Sequence, residues 1–362
     1  MFTKIAVLGL GKVGLLAAQM LHEAGFVVSG HDRVVPRANV PFPVDTADLA
    51  EATQLAALCG KVEAVLSCLP YPMNRALAEA AHRAGIHYLD LTEDVPTVNA
   101  IRELGKTAIG AMVPQCGLAP GFVGIVGASL IESFDQCRAC RMRVGALPQN
   151  PTGLMGYAFN WSPEGVVNEY LNDCEVIEEG VHKWVSPMEW HETIYIEGTK
   201  LEAFTTSGGL GTMCHTYLGK VANIDYKSMR YPGHMKLMNF FFHELLMRER
   251  RAEAGAILVN AKPPVDQDIV YIHISAEGWI AGELKRKEFV RTYRPIELYG
   301  QQRTAIAWTT SASVAAVIEL MRAGTLPARG FVRQETIPLD GFLATKAGQL
   351  YTWGFARRLR VW

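Results

Sequence analysis

Charge of one sign is scarce in this 362-residue chain: 35 Lys and Arg stand against 36 Asp and Glu, a formal net charge of −1. A near-neutral chain has no positive field with which to hold a nucleic-acid backbone or an anionic membrane surface, and no acidic tail is present. Long apolar runs are scarce too. The longest beyond the N-terminus, Phe122 to Ile131, is about half of the ~20 residues that span a bilayer. The run from Met1 to Leu8 resembles a signal peptide only until the glycines at 9, 11 and 14 break it. Cysteines number seven, an odd count scattered along the chain, which excludes a disulfide framework and points to a reducing cytoplasm. Neither HExxH nor a second CxxC accompanies Cys137-x-x-Cys140. That pair sits in an alternating strand pattern with Arg141 and Arg143, where positions of opposite parity face opposite sides, one thiol buried and one exposed. The expected partner is therefore a small neutral or zwitterionic molecule, with no nucleic acid, no membrane and no metal.

What is present is ample apolar material, 49 % of the residues, enough for two cores. The first third alternates short apolar runs (Lys4–Leu8, Phe26–His31, Phe42–Val44, Glu63–Cys68, His87–Leu91, Thr107–Val113) with helical spacing, as in Val13–Ala24 and Asn74–Ala84. Unalternating strands in a βαβ rhythm predict a doubly wound parallel sheet, the dinucleotide-binding (Rossmann) architecture, over 1–121. The pattern changes after Gly121. Phe122–Phe134 reads as a helix, Leu147–Pro163 as loops, and Thr193–Glu197 and Ile269–Ser275 as strands. Lys287–Tyr293 reads as a return strand after a turn at Ala276–Trp279, with helices at Met235–Glu249 and Ser311–Ala323. This predicts an α+β substrate and dimerisation domain over 122–304, with 305–362 packing back on the first domain.

The sharpest local signal is Gly9-Leu10-Gly11-Lys12-Val13-Gly14, a G-x-G-x-x-G that follows a strand and opens a helix. Gly9 permits the turn, Gly11 the approach of a pyrophosphate, and Gly14 close helix–strand packing, while the helix N-terminus presents N–H groups to phosphate. Asp32 ends the second strand, where its carboxylate accepts ribose hydroxyls and repels a 2′-phosphate, favouring NAD over NADP. Arg33 beside it is placed to stack on adenine or to reach a phosphate. Cys68, Leu69 and Pro70 close the fourth strand, where a nicotinamide ribose passes. Glu93 and Asp94 follow the fifth strand, and either balances a substrate ammonium or, more simply, caps the next helix.

Three further segments, Gln115-Cys116-Gly117-Leu118-Ala119-Pro120-Gly121, Thr205-Thr206-Ser207-Gly208-Gly209 and Arg230-Tyr231-Pro232-Gly233-His234, come after the fingerprint in that order. This order resembles the saccharopine dehydrogenase family, and within it the bacterial L-lysine 6-dehydrogenase branch. The resemblance implies an NAD(P)-dependent enzyme acting on a C–N bond of an amino acid, as a homodimer or higher homo-oligomer. It implies that Arg230 holds a substrate carboxylate, that Thr206, Ser207 and His234 border the substrate, and that Gly117 and Ala119 line the nicotinamide end. Gln115 departs from the acidic residue common at its position, so it supplies no general base.

The expected reaction is oxidative deamination of the ε-amine of L-lysine to the semialdehyde. Joining or splitting an opine-like secondary amine such as saccharopine is the nearer alternative, disfavoured because only Arg230 is nominated as a carboxylate anchor. A non-catalytic NAD-sensing module is the alternative of another class. Because the reacting amine must lose a proton, His234 is the expected acceptor. The arginines at 248–251, and Arg357, Arg358 and Arg360, read as solvated.

Overall fold

The computed structural model describes residues 2–36 and 39–352; Arg357, Arg358 and Arg360 lie outside them. The chain divides into two compact units, one made of the residues up to Ile125 with those from Ala307 on, the other of Val126–Ile306.

The first unit is built on a seven-stranded sheet whose pairings are all parallel. Its elements begin β1 (Lys4–Leu8), α1 (Lys12–Glu23), β2 (Val27–Asp32), β3 (Val44–Thr46), α2 (Ala52–Cys59) and β4 (Ala64–Ser67). They continue α3 (Asn74–Ala84), β5 (His87–Leu89), α4 (Val95–Gly105), β6 (Ala111–Val113) and the start of α5 (Phe122–Glu132). Ile5, Ala6, Val7, Leu8, Val65 and Leu66 are fully buried, because helices cover both faces of a parallel sheet and leave no polar side to the strand. The strand order runs β3-β2-β1-β4-β5-β6 and ends on a strand contributed from late in the chain. The order reverses between β1 and β4, so the carboxyl ends of those two strands open the crevice in which such sheets take ligands.

The second unit carries a sheet in the order β10-β11-β12-β7-β13-β14, in which β12 and β7 are parallel and the other pairs on that path antiparallel. Its elements are β7 (Gln136–Pro148), α6 (Pro163–Leu171), β8 (Cys174–Glu178), β9 (Val181–Val185), β10 (Glu192–Ile196), β11 (Thr199–Thr205), α7 (Met213–Tyr217) and β12 (Asn223–Arg230). Next come α8 (His234–Asn239), α9 (Arg251–Ala261), β13 (Asp268–Ile280), β14 (Glu283–Tyr293) and a small hairpin, β15 (Ile296–Leu298) with β16 (Gln301–Arg303). The core joins Tyr157, Phe159, Tyr170, Phe204, Met229, Met238 and Phe242. Then α10 (Ala305–Arg322) leads the chain back to the first unit, where β17 (Gly330–Phe331) pairs with β6 and the short α11 (Leu339–Ala344) comes after it.

Four local expectations are corrected. Ala276–Trp279 is not a turn but the closing stretch of the long β13, and the reversal comes at Ala281 and Gly282, both with positive φ (53° and 81°). Helix Met235–Glu249 is interrupted: α8 passes into a π-helical turn at Phe240–Glu244, and Leu246 takes φ +57°. Cys137 and Cys140 are both buried, because the strand register shifts opposite Glu277/Gly278 and admits one extra residue between them. Arg143, expected to alternate outward, is 3 % exposed and held between Glu192 and Asp225. No helix among the described residues is long and apolar enough to cross a membrane.

Candidate active site

In the first unit the glycine-rich turn is fixed by the sheet on either side. Gly9 N–H donates to His31 O (2.9 Å), and Cys68 N–H donates to Leu8 O (2.8 Å), so the ends of β1, β2 and β4 meet at one corner. A Cβ on Gly9 would lie 2.7 Å from Cys68 O, and one on Gly14 1.9 Å from Gly9 O. The protein itself excludes both side chains. Gly11 differs: a Cβ there would meet nothing within 4 Å. The space over Gly11 is an open cradle at the head of α1, whose first intrahelical bond is Leu15 N–H to Gly11 O (3.0 Å). The preceding N–H groups of Lys12, Val13 and Gly14 have no acceptor within the helix. The residues present therefore fit a dinucleotide: Gly9 to Gly14 offer the pyrophosphate bare backbone and a helix N-terminus. Asp32 is already oriented toward this turn. Its Oδ2 accepts Leu10 N–H at 2.6 Å and its Oδ1 accepts Val34 N–H at 3.2 Å, while Arg33 is exposed.

Further along the same edge, Leu69 and half-buried Cys68 precede Pro70, which opens a single 3₁₀ turn, and burial pushes the Cys68 thiol up to about 12. Asp90, which no sequence pattern singles out, organises the loops after β5 and β6. It is fully buried, its Oδ2 accepts Tyr88 Oη–H (2.7 Å), and its Oδ1 accepts the amides of both Thr92 (3.0 Å) and Gln115 (2.9 Å). Burial raises its carboxyl to about 6 against those donors. Asp94 caps α4, accepting Thr97 N–H (3.0 Å) and Oγ1–H (2.6 Å). Gly117 and Ala119 lie in a tight turn closed by Phe122 N–H to Gly117 O (3.0 Å), and a Cβ on Gly121 would sit 2.0 Å from that same oxygen.

In the second unit Arg230 and His234 meet at Tyr170, Ser207 is tied to the backbone of Glu169, and Thr206 is tied to Ser228, two residues before Arg230 on β12. Arg230 is buried, with its guanidinium 4.8 Å from the Tyr157 ring centroid and 5.5 Å from that of Tyr170. Its Nε–H donates to Tyr170 Oη (2.6 Å), Nη1 donates to Met229 O (2.9 Å), and Nη2 reaches Glu169 Oε2 only at 3.6 Å. Because Tyr170 Oη accepts from Arg230, its own proton points to His234 Nε2 (3.0 Å), and His234 Nδ1–H then donates to Met155 O (3.0 Å). Glu202 fixes the start of α8 by accepting the amides of Gly233 (2.9 Å) and Met235 (2.7 Å). Thr206 Oγ1 and Ser228 Oγ share a hydrogen bond (2.8 Å), and Ser207 is tied by its amide to Glu169 O (3.0 Å) and by its hydroxyl to Asp173 O (2.9 Å).

This geometry corrects the expectation for His234. Burial, and then the Arg230 charge, hold its pKa down to about 3, and its Nε2 lone pair is occupied by Tyr170. The ring stays neutral and takes up no proton near neutral pH. The cage of Tyr157, Glu169 and Tyr170 around Arg230 was missed at the sequence level, although Ser162-Pro163 before an apolar-periodic run marks the start of α6; Ser162 Oγ accepts Gly165 N–H (3.0 Å) there. Among the described residues, no three His, Cys, Asp or Glu side chains are grouped to hold a metal ion.

Comparison with known proteins covers nearly the whole chain. The model of the saccharopine dehydrogenase NADP binding domain matches residues 5–110, and that of the saccharopine dehydrogenase C-terminal domain matches residues 117–345. Among solved structures, the apo saccharopine dehydrogenase (L-Glu forming) of Saccharomyces cerevisiae is similar over 94 % of this chain and 96 % of that one, at 15 % identity and a TM-score of 0.72. An engineered D-amino acid dehydrogenase bound to NADP+ is similar over 97 % and 99 %, at 10 % identity and a TM-score of 0.50. At these identities the likeness is one of fold.

Proposed function

Because the chain belongs to the saccharopine dehydrogenase family, and is an NAD(P)-dependent amino-acid oxidoreductase, we propose that its reaction is NAD-dependent oxidative deamination of the ε-amine of L-lysine. The observation that carries the choice of substrate is the contrast between two buried arginines. Arg143 is held between two carboxylates, Glu192 and Asp225, and has no charge to offer. Arg230 faces one, Glu169, and at 3.6 Å rather than hydrogen-bond distance. One under-compensated guanidinium suits a substrate with one carboxylate, where a saccharopine-like compound brings three.

NAD, when bound, supplies the hydride acceptor. Gly11 and the head of α1 take its pyrophosphate. Asp32, aimed at the turn by Leu10 N–H, receives the ribose hydroxyls and repels a 2′-phosphate, which is the ground for NAD rather than NADP. Arg230 pairs with the substrate carboxylate, held in position by Tyr170 and by stacking on Tyr157. Thr206 Oγ1 borders the same cluster. The protein functions as a cytoplasmic homo-oligomer.

The test is a screen of amino acids and diamines with NAD, read by NADH absorbance. L-lysine should react fastest. Its ε-amine titrates at about 10.4 in water, so the rate should climb from neutral to alkaline pH. Faster turnover of saccharopine would replace lysine as the substrate.

A further inference from the structure

Oxidation of an amine needs an acceptor for the ammonium proton, because hydride leaves only a carbon whose nitrogen has a free electron pair. His234 is neutral and occupied, and Gln115 is an amide. Three carboxyl groups stand together at the carboxyl end of β5, in the loop that leads to α4. Asp90 spends both oxygens on Tyr88, Thr92 and Gln115, and Asp94 commits its Oδ2 to the amide and the hydroxyl of Thr97 as the cap of α4. Thr92 Oγ1 in turn accepts Asp94 N–H (3.1 Å). Glu93 is the remaining one. It is half-buried, and its carboxylate takes its own amide and no other donor among the described residues.

Resting on the amine-oxidation reading, we propose that Glu93 is the proton acceptor, held by the Asp90 clamp beside the loop that begins at Gln115. The clamp gives the geometric warrant. A single oxygen, Asp90 Oδ1, accepts the amides of Thr92 and Gln115, so the residue before Glu93 and the first residue of the 115–121 loop converge on one atom. Cys116 N–H adds a bond to Asp90 O (2.9 Å). Gln115 itself has φ +67°, a backbone that a non-glycine residue keeps only when its surroundings hold it. In the transfer, an N–H bond of the substrate ammonium breaks, an O–H bond forms at Glu93, and nitrogen keeps the electron pair. The other titratable groups around the loop do not compete. Burial pushes the thiols of Cys68 and Cys116 and the phenol of Tyr88 up, out of the useful range. The same effect, with repulsion from Asp94 and Asp90, raises Glu93 to about 7, where it is ionised in part at neutral pH and becomes fully competent just above it.

Two measurements on the full chain test this. Turnover of L-lysine with NAD should fall by about 100-fold in kcat in Glu93→Gln, with KM for NAD unchanged, and be partly restored in Glu93→Asp or by added formate. In wild type, log kcat/KM should show an acid limb near pH 7 that Glu93→Gln removes. Independently of turnover, carboxyl-labelled glutamate NMR, with the Glu93 signal assigned by its loss in Glu93→Gln, should show a midpoint near 7. A midpoint in the ordinary range near 4, or a Glu93→Gln enzyme with wild-type kcat, overturns the proposal. Absence of lysine oxidation by wild type overturns the substrate reading instead, and the NMR midpoint then decides the fate of Glu93.

Discussion

Single side chains in this protein divide into those spent on the fold and those left for chemistry, and three substitutions separate the classes. Asp32→Ser removes the charge proposed to repel a 2′-phosphate; the kcat/KM ratio for NAD over NADP should narrow, and an unchanged ratio would move discrimination to Arg33. Arg230→Ala should raise KM for the amino acid with little change for NAD, since loss of a desolvated charge-assisted pair costs about 2–4 kcal/mol. Equal damage to both constants would mark Arg230 as structural. His234 answers to pH through the fold. Its folded pKa, about 3, lies below the unfolded value, so the unfolded chain binds the extra proton. Stability from this residue is complete above roughly pH 6.5 and drains away as pH falls. Urea midpoints measured from pH 7 down to 4 should fall less steeply in His234→Gln than in wild type.

At the scale of elements, the glycine turn makes the cleanest test. Gly9→Ala and Gly14→Ala drive a Cβ into backbone oxygens and should lower thermal stability, whereas Gly11→Ala should leave the melting temperature nearly unchanged and weaken NAD binding in calorimetry. The same turn shows what the sequence makes legible. An unbroken apolar run from Ile5 to Leu8, buried throughout, made β1 legible as Lys4–Leu8, and Gly85 stopped α3 at Ala84, because local rules and tertiary packing agree there. Around Arg230 they do not. The aromatic cage depends on Tyr157, Tyr170 and Arg230 meeting from far-apart segments, and no periodicity records such a meeting. His234 after Pro-Gly looked like a titrating residue because its burial and its tyrosine partner are both non-local facts. The turn misplaced at Ala276–Trp279 has a simpler cause: Gly278 reads as punctuation, yet it serves a bulge, where a Cβ would lie 2.3 Å from Gln136 O.

For the whole molecule, the division of the chain matters more than any one site. The first unit takes its seventh strand and the buried aromatics Trp308, Phe342 and Tyr351 from the end of the described chain, where Tyr351 stacks on Phe122 at 3.9 Å between ring centroids. A protein stopped after Ile306 would leave β6 as an open edge and strip Phe122 of its stacking partners. Relative to the full chain, such a truncation should lose NAD binding and expose the first unit to proteolysis. Equal protease resistance in the two would show that the late segment adds nothing to the first unit.

The return of α10 and β17 to the first sheet also sets an order of events during synthesis. Domains in general fold as they leave the ribosome, N-terminal first. Here the residues of the glycine turn are made before the second unit, but Ser311, whose hydroxyl bonds Val13 O (2.9 Å), is made some three hundred codons after them. The second unit has all of its residues before the first has its last strand. A nascent chain therefore holds its earliest-made half unfinished while the later half matures, and a stalled or slowed ribosome anywhere between codons 130 and 310 prolongs the exposure of an incomplete sheet edge. Chaperones that recognise such edges should find their longest opportunity on this chain in that window.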